Sequence, residues 1–385
     1  MKAGHGTATI PVPDGSPMGG YVDRPSASTG VADPLEAHVV TVSDGARRMA
    51  FVVLDVVCVN VDLADAVERE LIELGIDDVW VCATHTHSGP ETGCVPGGAA
   101  TPPPWTEVVT AAARRAGADA VAGEVTSTIG ASLVSVTDVG SVRSKPGATR
   151  PVPVDVIAFR GPRDELTGLF AVLPVHPTVL PASSTVVSAD LTGAVRRALT
   201  DRLGVWTVVA TGAAGDISTR GVRQAADLGE CARLGAVVAD QVVRALPVDC
   251  TSGPVRTARA DTVVLPTERG SAISAGGSTR QAETLRQAVR LRDHLPWPDR
   301  PLEATVRAAR LGPVGLVGLP GEPFLDLRSR VNGILIGYVG GYLGYLPTRA
   351  AFAGEPTYET VISPIVAGAA ESLVDVAAET LRRLR

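Results

Sequence analysis

The sequence predicts an α/β fold in which a mixed β-sheet core is flanked by helices and the candidate active site lies at the C-terminal ends of strands. Two observations predict this class. Continuous apolar runs typical of buried strands alternate with segments of helical periodicity, and short polar segments directly follow the apolar runs. The chain has 385 residues, of which 45% are hydrophobic, so it can bury a sizeable core.

The first predicted unit is a strand, a helix and a second strand. Phe51–Val59 is a continuous apolar run, and Val79–Ala83 is another. Asp62 is the predicted N-cap of a helix that ends near Gly75. The apolar stripe of this helix comprises Leu63, Val67, Leu71 and Leu74. Because a helix joins the two runs, the strands are expected to be parallel.

Further elements follow the same rules along the chain. The remaining predicted strands are Leu169–Val175, Val205–Thr211, Val314–Leu319 and Ile334–Val339. The remaining predicted helices are Gly193–Arg202, Asp227–Leu246 and a C-terminal helix rich in Ala and Leu. Residues Arg269–Thr279 are rich in Gly and Ser, which predicts a mobile loop. No interdomain linker is evident, so residues 1–385 are predicted to form a single domain.

Composition excludes several classes of protein. The net charge is −6 and no basic block stands out, which argues against nucleic-acid binding. No apolar stretch approaches the roughly 18 residues of a membrane span, and the N-terminus lacks the apolar region of a signal peptide. The five cysteines are odd in number and scattered, as in a reduced protein. We therefore expect a soluble, cytoplasmic protein without stable membrane insertion; a homo-oligomer is left open.

Chemistry-bearing side chains follow the predicted strands. His85 and His87 come after Val79–Ala83, His176 follows another strand, and Glu322 follows a third. In an extended segment, His85 and His87 point to the same side. Three imidazoles and a carboxylate suit Zn²⁺ with one position left for water. Each residue alone also fits a structural role, and Glu322 alone fits a turn between two prolines.

Blocks distributed over nearly the whole chain resemble one family, the neutral/alkaline non-lysosomal ceramidases. The blocks are Met18–Tyr21 (MGGY), Gly30–Leu35 (GVADPL), Ala83–Pro90 (ATHTHSGP), His176–Thr178 (HPT), Ser188–Asp190 (SAD), Gly215–Ser218 (GDIS), Pro320–Phe324 (PGEPF) and Gly341–Tyr345 (GYLGY). Each block alone is a weak signal, whereas the ordered set is specific.

The resemblance implies a zinc-dependent amidohydrolase. Carried over by position, the metal ligands are His85, His176, Glu322 and Tyr345. The resemblance also places four residues around the substrate, namely His87, Arg143, Ser218 and Tyr358. His87 is expected to face the substrate, and Ser218 occupies the position of the family's proposed nucleophilic serine. Two departures from the family pattern are Val142 before Arg143 and Thr219-Arg220 after Ser218. Asp216 is predicted to cap the following helix.

The expected reaction is hydrolysis of an N-acyl bond by a metal-activated water, with Ser218 as the alternative nucleophile. The chain matches the length of the family's catalytic domain and is only 4% aromatic, so the expected substrate is a small molecule or biosynthetic intermediate of secondary metabolism rather than ceramide. Two other functions stay open. One is a metal-independent serine hydrolase, acyl transferase or cyclase that uses Ser218; the other is a non-catalytic zinc- or ligand-binding relative.

Overall fold

A computed structural model describes residues 1–97, 100–145, 147–246, 249–264, 280–294, 298 and 300–384. The strands, numbered in chain order, are β1 (Lys2–Ile10), β2 (Gly30–Val31), β3 (Leu35–Ser43), β4 (Arg48–Leu54), β5 (Asp78–Ala83), β6 (Val125–Thr126), β7 (Thr128–Val136), β8 (Ser141–Val142), β9 (Val152–Arg160), β10 (Leu166–Leu173), β11 (Val186–Val187), β12 (Trp206–Thr211), β13 (Ile217–Ser218), β14 (Val255–Val264), β15 (Leu302–Leu311), β16 (Val314–Gly318), β17 (Glu322–Pro323), β18 (Ile334–Ile336) and β19 (Tyr345–Leu346). The α-helices are α1 (Val61–Ile72), α2 (Trp105–Ala122), α3 (Asp190–Leu203), α4 (Leu228–Arg244), α5 (Arg280–His294), α6 (Arg349–Ala353), α7 (Tyr358–Ile362) and α8 (Ala369–Arg382). Short 3₁₀ helices span Thr219–Gly221 and Leu325–Arg330.

The larger sheets are mixed. One has the strand order β5-β4-β3-β1-β6, a second has β12-β10-β9-β7, and a third has β14-β15-β16-β18. Each contains one parallel pair, formed by β4 and β5, by β10 and β12, or by β16 and β18, whereas the other neighbours are antiparallel. Helices cover these sheets; α2 packs on β1 and β3, for example, and α8 packs on β14 and β15. The predicted mixed α/β class is confirmed.

The first predicted unit is present, with altered boundaries. Strands β4 and β5 are parallel and α1 joins them. The strand predicted over Phe51–Val59 ends at Leu54, because a tight turn brings the Val56 amide to the Leu54 carbonyl at 2.8 Å. The N-cap of α1 is Asn60 and not Asp62. The Asp62 carboxylate instead accepts two hydrogen bonds from Thr101, at 2.7 and 2.9 Å.

Other predicted elements recur within a few residues of their expected positions. They are β10, β12, β16 and β18 among the strands and α3, α4 and α8 among the helices. Several antiparallel strands were not predicted, including β1, β3, β9 and β15. The loop predicted over 269–279 lies outside the described residues, and the single-domain organisation stays a prediction. Among the described residues, none of the helices has the length and apolar character needed to cross a bilayer.

Helix α2 lies unusually close to strand β1. A Cβ atom added to Gly4 would lie 2.0 Å from the Ala120 carbonyl oxygen, and one added to Gly6 would lie 2.0 Å from that of Ala116. Real Cβ atoms do not approach a carbonyl oxygen so closely, so a side chain at either position would push the helix off the sheet. The two glycines therefore set the helix–sheet distance on this face.

We expect Gly6→Ala to lower the free energy of unfolding by about 2 kcal/mol, because backbone and not a flexible side chain must move. Denaturant unfolding followed by circular dichroism measures this loss. Gly354→Ala is the matched control, since its added Cβ would have no neighbour nearer than 3.5 Å. Its effect should stay within about 0.5 kcal/mol. Equal effects of the two substitutions would contradict the close-packing argument.

Candidate metal centre

The turns that follow three strands meet at one place. His85 follows β5, His176 follows β10, and Glu322 stands in β17, shortly after β16. Glu322 pairs in parallel register with Tyr345 of β19, so these two residues are neighbours in a small sheet. His85 has a φ of 65°, a strained conformation for a residue with a side chain that is typical of functional sites.

The three histidines bring their Nε2 atoms together. His85 Nε2 lies 3.1 Å from His176 Nε2 and 3.2 Å from His87 Nε2. Two ligands of a tetrahedral Zn²⁺, each about 2.05 Å from the ion, lie about 3.3 Å apart. The observed separations therefore match the spacing of metal ligands. All three imidazoles are buried and could share one ion through these atoms.

The hydrogen bonds at the Nδ1 atoms of His85 and His176 indicate which ring nitrogen carries the proton and which carries a lone pair. His85 Nδ1 lies 2.5 Å from the Val57 carbonyl oxygen, and His176 Nδ1 lies 3.3 Å from that of Ala214. A carbonyl oxygen only accepts, so these contacts favour a proton on both Nδ1 atoms and leave both Nε2 atoms facing each other as acceptors, although Arg143 Nη1 also lies 3.5 Å from His176 Nδ1. Burial, together with the neighbouring charged groups, lowers the pKa of His87 and of His176 well below the ordinary value. A cation between the rings would satisfy these lone pairs.

The Glu322 carboxylate completes the cluster. Its Oε1 accepts a hydrogen bond from the Tyr342 hydroxyl at 2.6 Å. Its Oε2 has no hydrogen-bond donor among the described residues and lies 3.5 Å from His85 Nε2 and 3.8 Å from His176 Nε2. Burial favours the protonated acid, but His85 and Tyr342 outweigh burial and lower the pKa of Glu322. The cluster thus presents a buried carboxylate oxygen aimed at two imidazoles, and its donor set fits a divalent cation.

Arg143 organises the opposite side of the cluster. Its Nη1 donates to the Tyr345 hydroxyl at 2.9 Å, and its Nε lies 3.0 Å from Glu359 Oε1. Its guanidinium carbon lies 5.5 Å from the centre of the Tyr345 ring and 5.9 Å from that of the Tyr358 ring. Burial raises the pKa of Tyr358 to about 12, so its hydroxyl stays protonated. Arg143 therefore positions one tyrosine hydroxyl and lies beside a second.

The cluster borders a cavity of about 540 Å³ through His87, whereas His85, His176 and Glu322 are not among the described lining residues. His87, Arg143, Tyr345 and Tyr358 line this cavity. The sequence expectation placed His87 towards substrate, and the structure gives His87 both a place in the lining and ligand spacing to His85. The metal and catalytic roles of these residues stay predictions.

The surroundings of Ser218 are not those expected of a catalytic nucleophile. It is fully buried, it caps the 3₁₀ helix Thr219–Gly221, and its Oγ accepts from the Arg220 amide at 3.4 Å. Within the part of the chain that the structure describes, no hydrogen bond joins Ser218 Oγ to His87 or His176. Strand β13 is tied to the backbone of His176, since the His176 amide donates to the Ile217 carbonyl at 2.9 Å and His176 forms an isolated parallel bridge with Ser218.

Several contributors were not identified from the sequence. Tyr342 binds Glu322, Glu359 binds Arg143, and Tyr338 stacks on the His85 ring with centroids 4.5 Å apart. Tyr338 and Tyr342 lie in the same Gly-rich segment as Tyr345, which was the available signal. Asp216 also differs from expectation, because its Oδ1 accepts from the Leu325 amide at 2.8 Å and so caps a distant 3₁₀ helix.

The sequence and the fold of this chain can now be compared with those of known proteins. No protein-family model matches the chain, and no curated protein matches it by sequence. A solved ceramidase complexed with C2 matches with a TM-score of 0.80 at 17% sequence identity, over 99% of this chain and 75% of that chain. Neutral ceramidase from Pseudomonas aeruginosa matches with a TM-score of 0.78 at 18% identity, over 100% of this chain and 75% of that chain.

These observations first define a class, a mixed α/β protein with a candidate metal centre at the C-terminal ends of its strands. Within that class, the chain has a neutral ceramidase-like fold, as its sequence blocks predicted. At 17–18% identity the similarity establishes the fold, and activity has to be argued from the residues.

Asp216 gives a pH-dependent prediction. Its pKa is raised by burial from 3.8 to about 6, so the folded protein binds this proton more tightly than the unfolded chain. The contribution of Asp216 to stability therefore falls as pH rises from about 4 to 6 and is constant above that range. Asp216→Asn keeps an acceptor for Leu325 without the charge. We expect it to raise the free energy of unfolding at pH 8 by roughly 2 kcal/mol.

Urea unfolding of both proteins between pH 4 and 8 measures this difference. The advantage of the Asn variant should grow between pH 4 and 6 and then level off. A difference that is independent of pH would contradict a raised pKa for Asp216.

Proposed function

We propose that this protein is a zinc-dependent hydrolase that cleaves the amide bond of an N-acylated small molecule. The observation that carries the proposal is the cluster itself. Three imidazole Nε2 atoms converge with Glu322 Oε2, which has no hydrogen-bond donor among the described residues, and His87 of this cluster lines a cavity together with Arg143, Tyr345 and Tyr358. This combination of donors beside an open cavity is typical of a catalytic metal site.

Zinc is the metal that suits these donors. Neutral imidazole nitrogen and carboxylate oxygen are common zinc ligands, whereas Mg²⁺ and Ca²⁺ prefer sites made of oxygen alone. We assign His85, His176 and Glu322 as the core of the site, with Tyr345 as the fourth ligand predicted from the resemblance. His87 is the alternative fourth ligand, because its Nε2 has ligand spacing to His85. A bound Zn²⁺ would polarise the amide carbonyl and lower the pKa of a coordinated water to about 7.

The side chains around the cavity suit the remaining steps of amide hydrolysis. His87 is neutral because its pKa lies well below the ordinary value, so its ring can accept a hydrogen bond from the attacking water and orient it. The water proton passes to the departing amine nitrogen, which is the stronger base. Tyr358 keeps its hydroxyl proton, which can be donated to the oxyanion that develops on the carbonyl. Water and amide are thereby converted to a carboxylic acid and an amine.

The placement of Ser218 disfavours the serine-hydrolase alternative. A serine nucleophile needs a base within hydrogen-bonding distance, and the Oγ of Ser218 is instead engaged with the Arg220 amide. A structural role for Ser218 at the start of the 3₁₀ helix accounts for its burial. Acyl transfer or cyclisation through the metal centre would use the same residues.

The proposed substrate is a small molecule. A cavity of about 540 Å³ falls in the range of small-molecule sites, and charged side chains contribute to its lining. The two structural relatives are ceramidases, and for this chain we keep the expectation that ceramide itself is not the substrate. The cytoplasmic location and the role in secondary metabolism stay predictions.

The purified protein should contain about one Zn²⁺ per chain by atomic emission, and it should release amine from a panel of N-acyl compounds. His85→Ala should lose the zinc and at least about 1,000-fold in kcat/KM, because one ligand of a three-residue core is removed. Ser218→Ala is the matched comparison and should keep its zinc and most of its activity. Loss of turnover in Ser218→Ala with zinc still bound would favour the serine mechanism.

A protein that binds zinc but hydrolyses no member of the panel would favour the non-catalytic alternative. Activity that survives complete removal of the metal by a chelator would overturn the zinc assignment.

Substitutions of two tyrosines test whether the Tyr342 hydroxyl orients the Glu322 carboxylate. Tyr342→Phe removes the hydroxyl that donates to Glu322 Oε1, so we expect about 10-fold weaker zinc binding. Tyr338→Phe is the matched control, because the Tyr338 hydroxyl is buried and has no partner among the described residues. Competition with a chromogenic chelator measures both affinities. Equal affinities in the two variants would show that the Tyr342 hydroxyl does not orient the carboxylate.

A further inference from the structure

Arg220 is an arginine of the cavity wall. It is the middle residue of the 3₁₀ helix Thr219–Gly221, it is exposed, and it lines the same cavity as His87, Arg143 and Tyr358. Within the described ranges of the chain, no carboxylate forms an ion pair with Arg220.

Arg143, Arg223 and Glu283 of the lining have partners. Arg143 is paired with Glu359, and Arg223 donates to the carbonyl oxygens of Thr178 and Val179. Glu283 is held by Arg286 and Arg290 of its own helix.

Asp23 is exposed and also lines the cavity, and no ion pair joins it to Arg220 in the portion of the protein that the structure covers. Arg223 has carbonyl partners but no carboxylate partner there. Arg220 and Arg223 therefore give the lining two positive charges that no ion pair offsets among the described residues.

We propose that Arg220 is a specificity-determining residue that binds an anionic group, a carboxylate or a phosphate, on the N-acyl substrate. This inference rests on the proposed function, because it assigns the substrate class of the same cavity. The guanidinium presents paired N–H donors that match either oxyanion in a bidentate manner. A cavity that excludes part of the surrounding water strengthens such a pair compared with one on an open surface.

Probes in which a ketone replaces the scissile N-acyl amide separate binding from chemistry. In 4-oxononanoic acid, a methylene replaces the amide nitrogen of N-hexanoylglycine, and the carboxylate is retained. 4-Oxononyl phosphate is the phosphate counterpart, and 4-oxononanamide is the neutral one. Isothermal titration calorimetry on the metal-containing protein gives the dissociation constant of each probe. We expect the wild-type protein to bind at least one anion at least 10-fold more tightly than the neutral amide.

Variants then assign the preference to Arg220. In Arg220→Met the preference should shrink to within about 2-fold, and in Arg220→Lys part of it should remain, because Lys keeps the charge but not the planar pair of donors. Arg256→Met is the matched control, since Arg256 is an exposed arginine of β14 outside the cavity lining, and it should keep the full preference. Added salt should weaken binding of the anions more than binding of the amide.

The outcome also identifies the anion, since tighter binding of the acid or of the phosphate selects between the two. Equal binding of anions and amide, a preference that survives in Arg220→Met, or no binding of either anion at millimolar concentration would overturn the inference. Amine release from N-hexanoylglycine and N-hexanoylglycinamide is measured in parallel. Turnover without anion preference rejects only this inference, whereas anion preference without turnover of any amide rejects only the proposed hydrolase function.

Discussion

The interaction on which the site depends is the approach of two imidazole lone pairs. His85 Nε2 and His176 Nε2 lie 3.1 Å apart, and each ring has its proton committed to a backbone carbonyl through Nδ1. Two acceptors at this distance repel each other unless a cation or a proton lies between them. The rest of the fold supplies the force that holds them there, because both rings sit on turns anchored to buried parallel strand pairs.

Backbone geometry makes this approach feasible. His85 occupies a left-handed conformation, and Gly215 allows the loop after β12 to lie against the Glu322 backbone. A Cβ on Gly215 would lie 2.5 Å from the Glu322 carbonyl oxygen, and the Gly215 amide donates to the Pro323 carbonyl at 2.9 Å. The turn after β12 thus supports the carboxylate without contributing a ligand. This contact explains why a glycine is needed in a segment that otherwise carries Asp216 and Ser218.

The sequence predicts part of this site because local patterns report on strand ends. His85, His176 and Glu322 each follow an apolar run, and the ends of strands tend to gather at one edge of a sheet. The bond from Tyr342 to Glu322 and the pair of Arg143 with Glu359 depend on side-chain directions and on contacts across long stretches of chain, which periodicity does not encode. Periodicity likewise does not encode the antiparallel pairing of β1 with β3, which brings Lys2 opposite Ser43.

The charges of the buried side chains around the cluster give an independent reason to expect a bound cation. Glu322 and Glu359 are both buried, and Arg143 is the cation that pairs with one of them. The neighbouring tyrosines keep their protons, since burial raises the pKa of Tyr345 well above its ordinary value and that of Tyr358 to about 12.

The two buried carboxylates of this region therefore outnumber their one paired cation, Arg143. An isolated buried carboxylate costs roughly several kcal/mol and normally takes up a proton or a partner instead. Burial favours the protonated acid, but His85 and the Tyr342 hydroxyl lower the pKa of Glu322 and so favour the carboxylate. A divalent ion bound by the three Nε2 atoms would pair with the Glu322 carboxylate and with the facing lone pairs. The cluster would then present a positive charge to the carbonyl oxygen of a bound amide.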